Sequence, residues 1–151
     1  MNASAIVYVG TVNWRHPTGW SGFYPDDLPE DWMLSYYNTQ FQAVYLPASV
    51  WTAASAATWV QWLNDTQEGF CFVLEPDDAG GAPPASERVL IASPAWLADH
   101  VWWLDEAPDM RALAQRLTRH VAAGTPLFVF SRSGNLALLG QVNSLREVMG
   151  Y

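Results

Sequence analysis

Hydrophobic residues along the chain follow two rhythms. Short unbroken apolar runs occur at 5–10 ("AIVYVG"), 41–47 ("FQAVYLP"), 69–76 ("GFCFVLEP"), 88–94 ("RVLIASP") and 126–132 ("PLFVFSR"). Their length and their β-branched and aromatic content predict strands buried on both faces. Between them, apolar positions recur at helical spacing. Residues 28–40 predict a helix with Pro29 in the first turn and Glu30 and Asp31 near its N-terminus. Trp32, Met33, Tyr36 and Tyr37 form its apolar face. Residues 52–66 predict a second helix that buries Ala56, Trp59, Val60 and Leu63. The clearest helix spans 108–124: Pro108 opens it, Met110, Leu113, Ala114, Leu117 and Val121 keep the spacing, and Gly124 closes it. A last helix covers 135–150 and ends at Gly150. The segment "AWLADHVWWLDEA" (95–107) reads equally as a short helix or as irregular structure, and "DDAGGAPPASE" (77–87) as a surface loop.

This alternation defines an α/β fold of about five parallel β/α units with covering helices, in one domain over 1–151. Composition narrows the function. Half the residues are hydrophobic and 15% are charged, which suits a packed core. Seven basic residues, all arginine, stand against fifteen acidic ones, a net charge of −8 that makes nucleic-acid partners unexpected. The one cysteine, Cys71, cannot form an internal disulfide, and its strand-like surroundings predict a buried small hydrophobe. The first ten residues lack the basic and apolar regions of a signal peptide, and no run approaches the ~20 apolar residues of a membrane span. A cytoplasmic protein without a membrane partner is the expectation. No metal or cofactor motif stands out, so no cofactor is expected.

Residues 9–47 carry Gly10-Thr11 at a strand end, then Asn13-Trp14, Trp20, Gly22, Phe23-Tyr24-Pro25, Leu28-Pro29 and Tyr36-Tyr37; Gly69-Phe70 and Phe72 open the third strand. In this order they resemble the start of the YecE-like family, the domain of unknown function 72. Asn13 stands where the family has glycine, and the tryptophans are two residues further apart. "PLFVFSRSGNLALLGQVNSLREVM" is similar to the family's last strand and helix, and "VLIASP…LAQRLTRHVAAG" to the unit before them. The resemblance implies a truncated TIM-like barrel that keeps units one to three and seven to eight. Its five strands would lie in the order 3-2-1-5-4, with any site at their C-terminal ends.

Several residues are candidates for that site. Trp14 and His16, beside Arg15 and Trp20, follow the first strand; alternatively the aromatics Trp20, Phe23 and Tyr24 pin the loop to the core. Glu75 ends the third strand beside Asp77 and Asp78. Arg132 and Ser133 lie in "SRSGN", between a strand and a helix N-terminus, where a small anion or phosphate could be held; the alternative is that Ser133 or Asn135 simply caps the helix. The resemblance also implies lost chemistry. Tyr45, Pro47 and Trp51 replace the family's Glu, Asn and Tyr, "IASP" replaces Arg-x-His-Gly, and Phe130-Ser131-Arg132 replaces Phe-Asn-Asn. No catalytic residue is therefore assigned. The expectation is a non-catalytic small-ligand-binding or assembly module; the alternative is a small-molecule enzyme, a hydrolase or phosphate-ligand enzyme, built on Arg132, Glu75 and His16. An open arc of strands predicts a homodimer, with Trp96, Trp102 and Trp103 as its contact or as a plug over the inner face.

Overall fold

The computed structural model describes residues 6–15, 20 and 22–151. The strands are β1 (Val7–Val12), β2 (Ala43–Leu46), β3 (Cys71–Leu74), β4 (Val89–Ile91), β5 (Val101–Trp103) and β6 (Leu127–Ser131). The helices are α1 (Met33–Gln40), α2 (Ala48–Trp51), α3 (Ala56–Asp65), α4 (Pro94–His100), α5 (Met110–Ala123) and α6 (Leu136–Met149), with a 3-10 turn at Glu30–Trp32. All strand pairs are parallel, in the order β4-β3-β2-β1-β6-β5.

This order corrects the sequence expectation in two places. Among the described residues there are six strands, not five, and the strand in 88–94 pairs with β3 rather than with the strand at 126–132. The place beside β6 belongs to Val101–Trp103, from the segment whose pattern left helix and irregular structure open. That segment is divided: Ser93 Oγ accepts from Trp96 N and caps α4, with Pro94 in the first turn, and the β-branched and aromatic "VWW" then extends.

The sheet is curled into a half-barrel. Tyr45 of β2 and Trp103 of β5 have β1 and β6 between them, yet their rings lie 5.4 Å apart. Three flat strand spacings would separate them by about 14 Å. The chain itself demands the curl. A flat sheet would put β4 and β5 about 24 Å apart at opposite edges. The seven residues of α4 supply only about 10 Å, and Ala92 and Ser93 add about 7 Å.

Each face has its own core. On the helical face, Val7, Val9, Val44, Leu46, Phe72 and Val129 pack against Leu34 and Tyr37 of α1, Trp59 of α3, Leu113 and Leu117 of α5, and Leu139 and Val142 of α6. The concave face gathers Ala43, Tyr45, Val73, Val101, Phe128 and Phe130, and among the described residues α4 covers it, through Trp96 and Leu97. Trp96 sits 5.3 Å from Phe128, which stacks on Tyr8 at 4.6 Å. Trp96 thus packs over the concave face, as a plug would. Trp103 shares the concave face, whereas Trp102 packs on the helical side and donates from Nε1 to the Ala107 carbonyl at 2.9 Å. Helical spacing misplaced some side chains: Trp32 is 65% exposed and Val60 58%, because the chain from 28 to 32 is a turn and α3 turns Trp59 and Trp62 inward instead.

The β1–β2 seam is held by a side chain. Tyr37 Oη accepts from Thr11 N at 2.8 Å and donates to the Ala43 carbonyl at 2.8 Å, so a phenol stands in for a ladder bond. Gly10 leaves room for this close approach, since a Cβ there would lie 1.9 Å from the Ala43 oxygen. Burial pushes the Tyr37 phenol well above its ordinary range and keeps it neutral. Tyr37→Phe would leave two buried backbone groups unpaired, and urea unfolding should show a loss of about 2–4 kcal/mol. A loss below about 0.5 kcal/mol would mean the seam does not depend on the hydroxyl.

Candidate functional site

The C-terminal ends of the strands form the rim of the half-barrel. β1 leads into Asn13, whose φ of 65° places it in the left-handed region. Asparagine tolerates that region best after glycine, which explains how it stands where the resemblance has glycine. Its Oδ1 accepts from Trp14 N at 2.7 Å, turning the chain sharply. Trp14 is buried with its edge against Trp62 of α3 at 5.0 Å, so it points to the helical side and not into the mouth. Trp20 is buried too, and its Nε1 donates to the Gly134 carbonyl at 2.7 Å, tying the first loop to the loop after β6. Phe23 and Tyr24 are half-buried around it. His16 lies outside the described residues.

Glu75 follows β3 and is exposed. Its Oε1 accepts from Ala48 N at 2.9 Å, capping the short α2, and its carbonyl accepts from Trp51 Nε1 at 2.8 Å. Asp77, suggested beside it, instead accepts from Ala79 N and Gly81 N within its own turn. Arg132 lies flat on Trp103, its guanidinium 3.7 Å from the ring centroid. Burial first pushes the Tyr45 phenol up, Glu75 pushes it further, and Arg132 opposes them.

The loop expected to bind an anion meets a carboxylate of the chain. Asp105, just after β5, accepts from Arg132 N at 2.5 Å, from Ser131 Oγ at 3.2 Å, from Ser133 N at 3.3 Å and from Ser133 Oγ. Asn135 caps α6 by accepting from Leu138 N, and its own N donates to Ser131 Oγ. Partial burial pushes the Asp105 carboxyl up, but the hydrogen bonds from Ser133, Arg132 and Ser131 outweigh it, and the net shift is downward. Among the described residues, no group of three or more His, Cys, Asp or Glu is placed to hold a metal ion. Asp105 is the rim residue the sequence did not single out; Trp103 drew notice only as a dimer contact or plug, and Tyr45 only as a replaced glutamate.

A six-stranded parallel half-barrel with helices on one face and loops gathered at the strand C-termini is a β/α-barrel type of architecture. The family model described as "Protein of unknown function DUF72" matches residues 8–76, from β1 to just past β3, and over that stretch, somewhat under half of its length, the chain is similar to the DUF72, or YecE-like, family. No curated protein and no solved structure matches the chain. Among the described residues, no helix is long and apolar enough to cross a membrane.

The Asp105 contacts predict a pH signature. A carboxyl whose folded pKa lies below its unfolded value of about 3.9 adds stability above that value and loses it as the pH falls through the folded pKa. Urea midpoints of the wild type and Asp105→Asn should therefore differ at neutral pH and converge as the pH drops below about 4. A difference that stays constant into strong acid would show that the charge plays no part.

Proposed function

We propose that this chain is a shortened YecE-like barrel acting as a non-catalytic small-ligand-binding or assembly module. The observation that carries this reading is the state of the rim. Each charged group described there already has a structural partner: Glu75 caps α2, Asp105 closes the loop after β6, and Arg132 covers Trp103. General acid–base work needs a group free to exchange a proton with substrate, and these groups are committed elsewhere. On this reading the donors of 131–135 serve Asp105 first, and a free phosphate or other small anion must compete with it. The lone cysteine suits a reducing, cytoplasmic setting. A second reading, a small-molecule enzyme, draws on Tyr45, whose phenol lies under the influence of both Glu75 and Arg132.

Assembly is proposed through the sheet edges. β4 and β5 are open edges of three residues each, and Ile91 on β4 is 43% exposed. Exposed parallel edges invite pairing, and two copies related by a two-fold axis are the simplest closed arrangement. Light scattering at micromolar concentration should give a dimer mass, and Ile91→Glu should reduce it to the monomer. A monomer mass for the wild type would reject the dimer and leave α4 as the sole cover of the concave face.

A further inference from the structure

A cleft of about 930 Å³ lies on the helical side, between the loop after β1, the 3-10 turn, α1 and α3. Its lining includes the aromatic residues Trp32, Tyr36 and Trp62 and the acidic residues Glu30, Asp31 and Asp65. Trp32 is 65% exposed, so most of its indole meets water. The cation bordering the cleft is Arg15. Its guanidinium lies 5.9 Å from the Trp14 ring centroid, and its Nη1 is 2.6 Å from Glu30 Oε1. Inside this cleft, then, the chain already holds one organic cation between an indole face and a carboxylate.

Arg15 neutralises Glu30 alone. Asp65 accepts from Gln61 Nε2, a neutral donor, at 2.7 Å, and Asp31 has no hydrogen bond or ion pair among the described residues. Asp31 and Asp65 thus line the cleft without an ion-pair partner among the described residues, on a chain of net charge −8 that draws cations toward it. A metal ion is a poor match, because the acids are not grouped as ligands and aromatic walls add nothing to oxygen coordination. The match is an occupant with separated positive charges on an apolar stem. Carboxylates attract its ammonium groups, aromatic faces attract them by cation–π interaction, and the methylenes cover ring surface.

We infer that this cleft binds a linear aliphatic polyamine, its ammonium groups paired with Asp31 and Asp65 and its methylene stem across Trp32 and Trp62. The site stands whether or not the chain dimerises. The test is calorimetric titration of the full chain with spermidine at physiological ionic strength. Saturable one-to-one binding is expected. Asp31→Asn and Trp32→Ala, both at exposed positions, should each weaken it about fivefold or more. Arg15→Ala, which frees Glu30, should tighten it, while Asp78→Asn, outside the lining of the cleft, should change nothing. Three results would overturn the inference: heats of dilution only, equal weakening by Asp78→Asn, and complete displacement of spermidine by magnesium chloride at matched ionic strength. Binding lost in Trp32→Ala but intact in Asp31→Asn would also overturn it, pointing to a neutral ring-stacking ligand such as a saccharide.

Discussion

A parallel sheet carries apolar side chains on both faces, and here the helices dry only one of them. The other must be dried by the remainder of the chain or by a partner. Curling is the first part of the solution, because it brings Tyr45, Trp103 and Phe130 together from strands that a flat sheet would hold apart. The second part is α4, whose short reach forces the two sheet edges toward each other and lays Trp96 on Phe128. Arg116 fastens the end of α4 by donating from Nη2 to the carbonyls of Ala98 and Asp99, and its Nε donates to His120 Nε2. Burial, opposed in part by the Thr125 carbonyl, lowers the His120 pKa and favours the neutral imidazole this bond needs.

The rim follows from the same geometry. Because β5 lies beside β6, Asp105 emerges next to the loop 131–135 and satisfies its donors. Because the sheet curls, Arg132 lands on Trp103, whose ring lies against Tyr45. The first loop is fixed from three directions: the left-handed turn at Asn13, the edge contact of Trp14 with Trp62, and the bond from Trp20 to Gly134. Its aromatics are mainly a cover for the helical core, and the accessible rings of that region open onto the cleft between α1 and α3.

The elements with long patterns are legible in the sequence. β1, β2, β3 and β6 stand out as apolar runs, and α5 and α6 as amphipathic stretches closed by Gly124 and Gly150, both at positive φ. β4 is legible as the run at 88–94, though not its place beside β3; β5 is not legible, because three residues show no period and its place is set by how far α4 can reach. Glu75 and Arg132 could be found as charged residues at strand ends. Asp105 could not, because its partners lie 26 to 28 residues further along the chain and meet it only when β5 and β6 pair. The Tyr37 hydroxyl was hidden for a similar reason: spacing identifies an inward ring, not a phenol bridging two strands.

Cys71 reports directly on whether α4 seals the concave face. It packs with the residues of that face, near enough to Tyr8 for each to shift the other's titration, and Tyr8 stacks on the Phe128 that Trp96 covers. Burial, the largest influence, raises the thiol pKa, and less thiolate means slower reaction. Labelling with a chromogenic disulfide reagent should run about tenfold or more slower in the native protein than in the urea-unfolded chain. Trp96→Ala should speed the native reaction while circular dichroism shows the fold retained. A native thiol that reacts as fast as the unfolded one, or a rate that Trp96→Ala leaves unchanged, would contradict a face closed by α4.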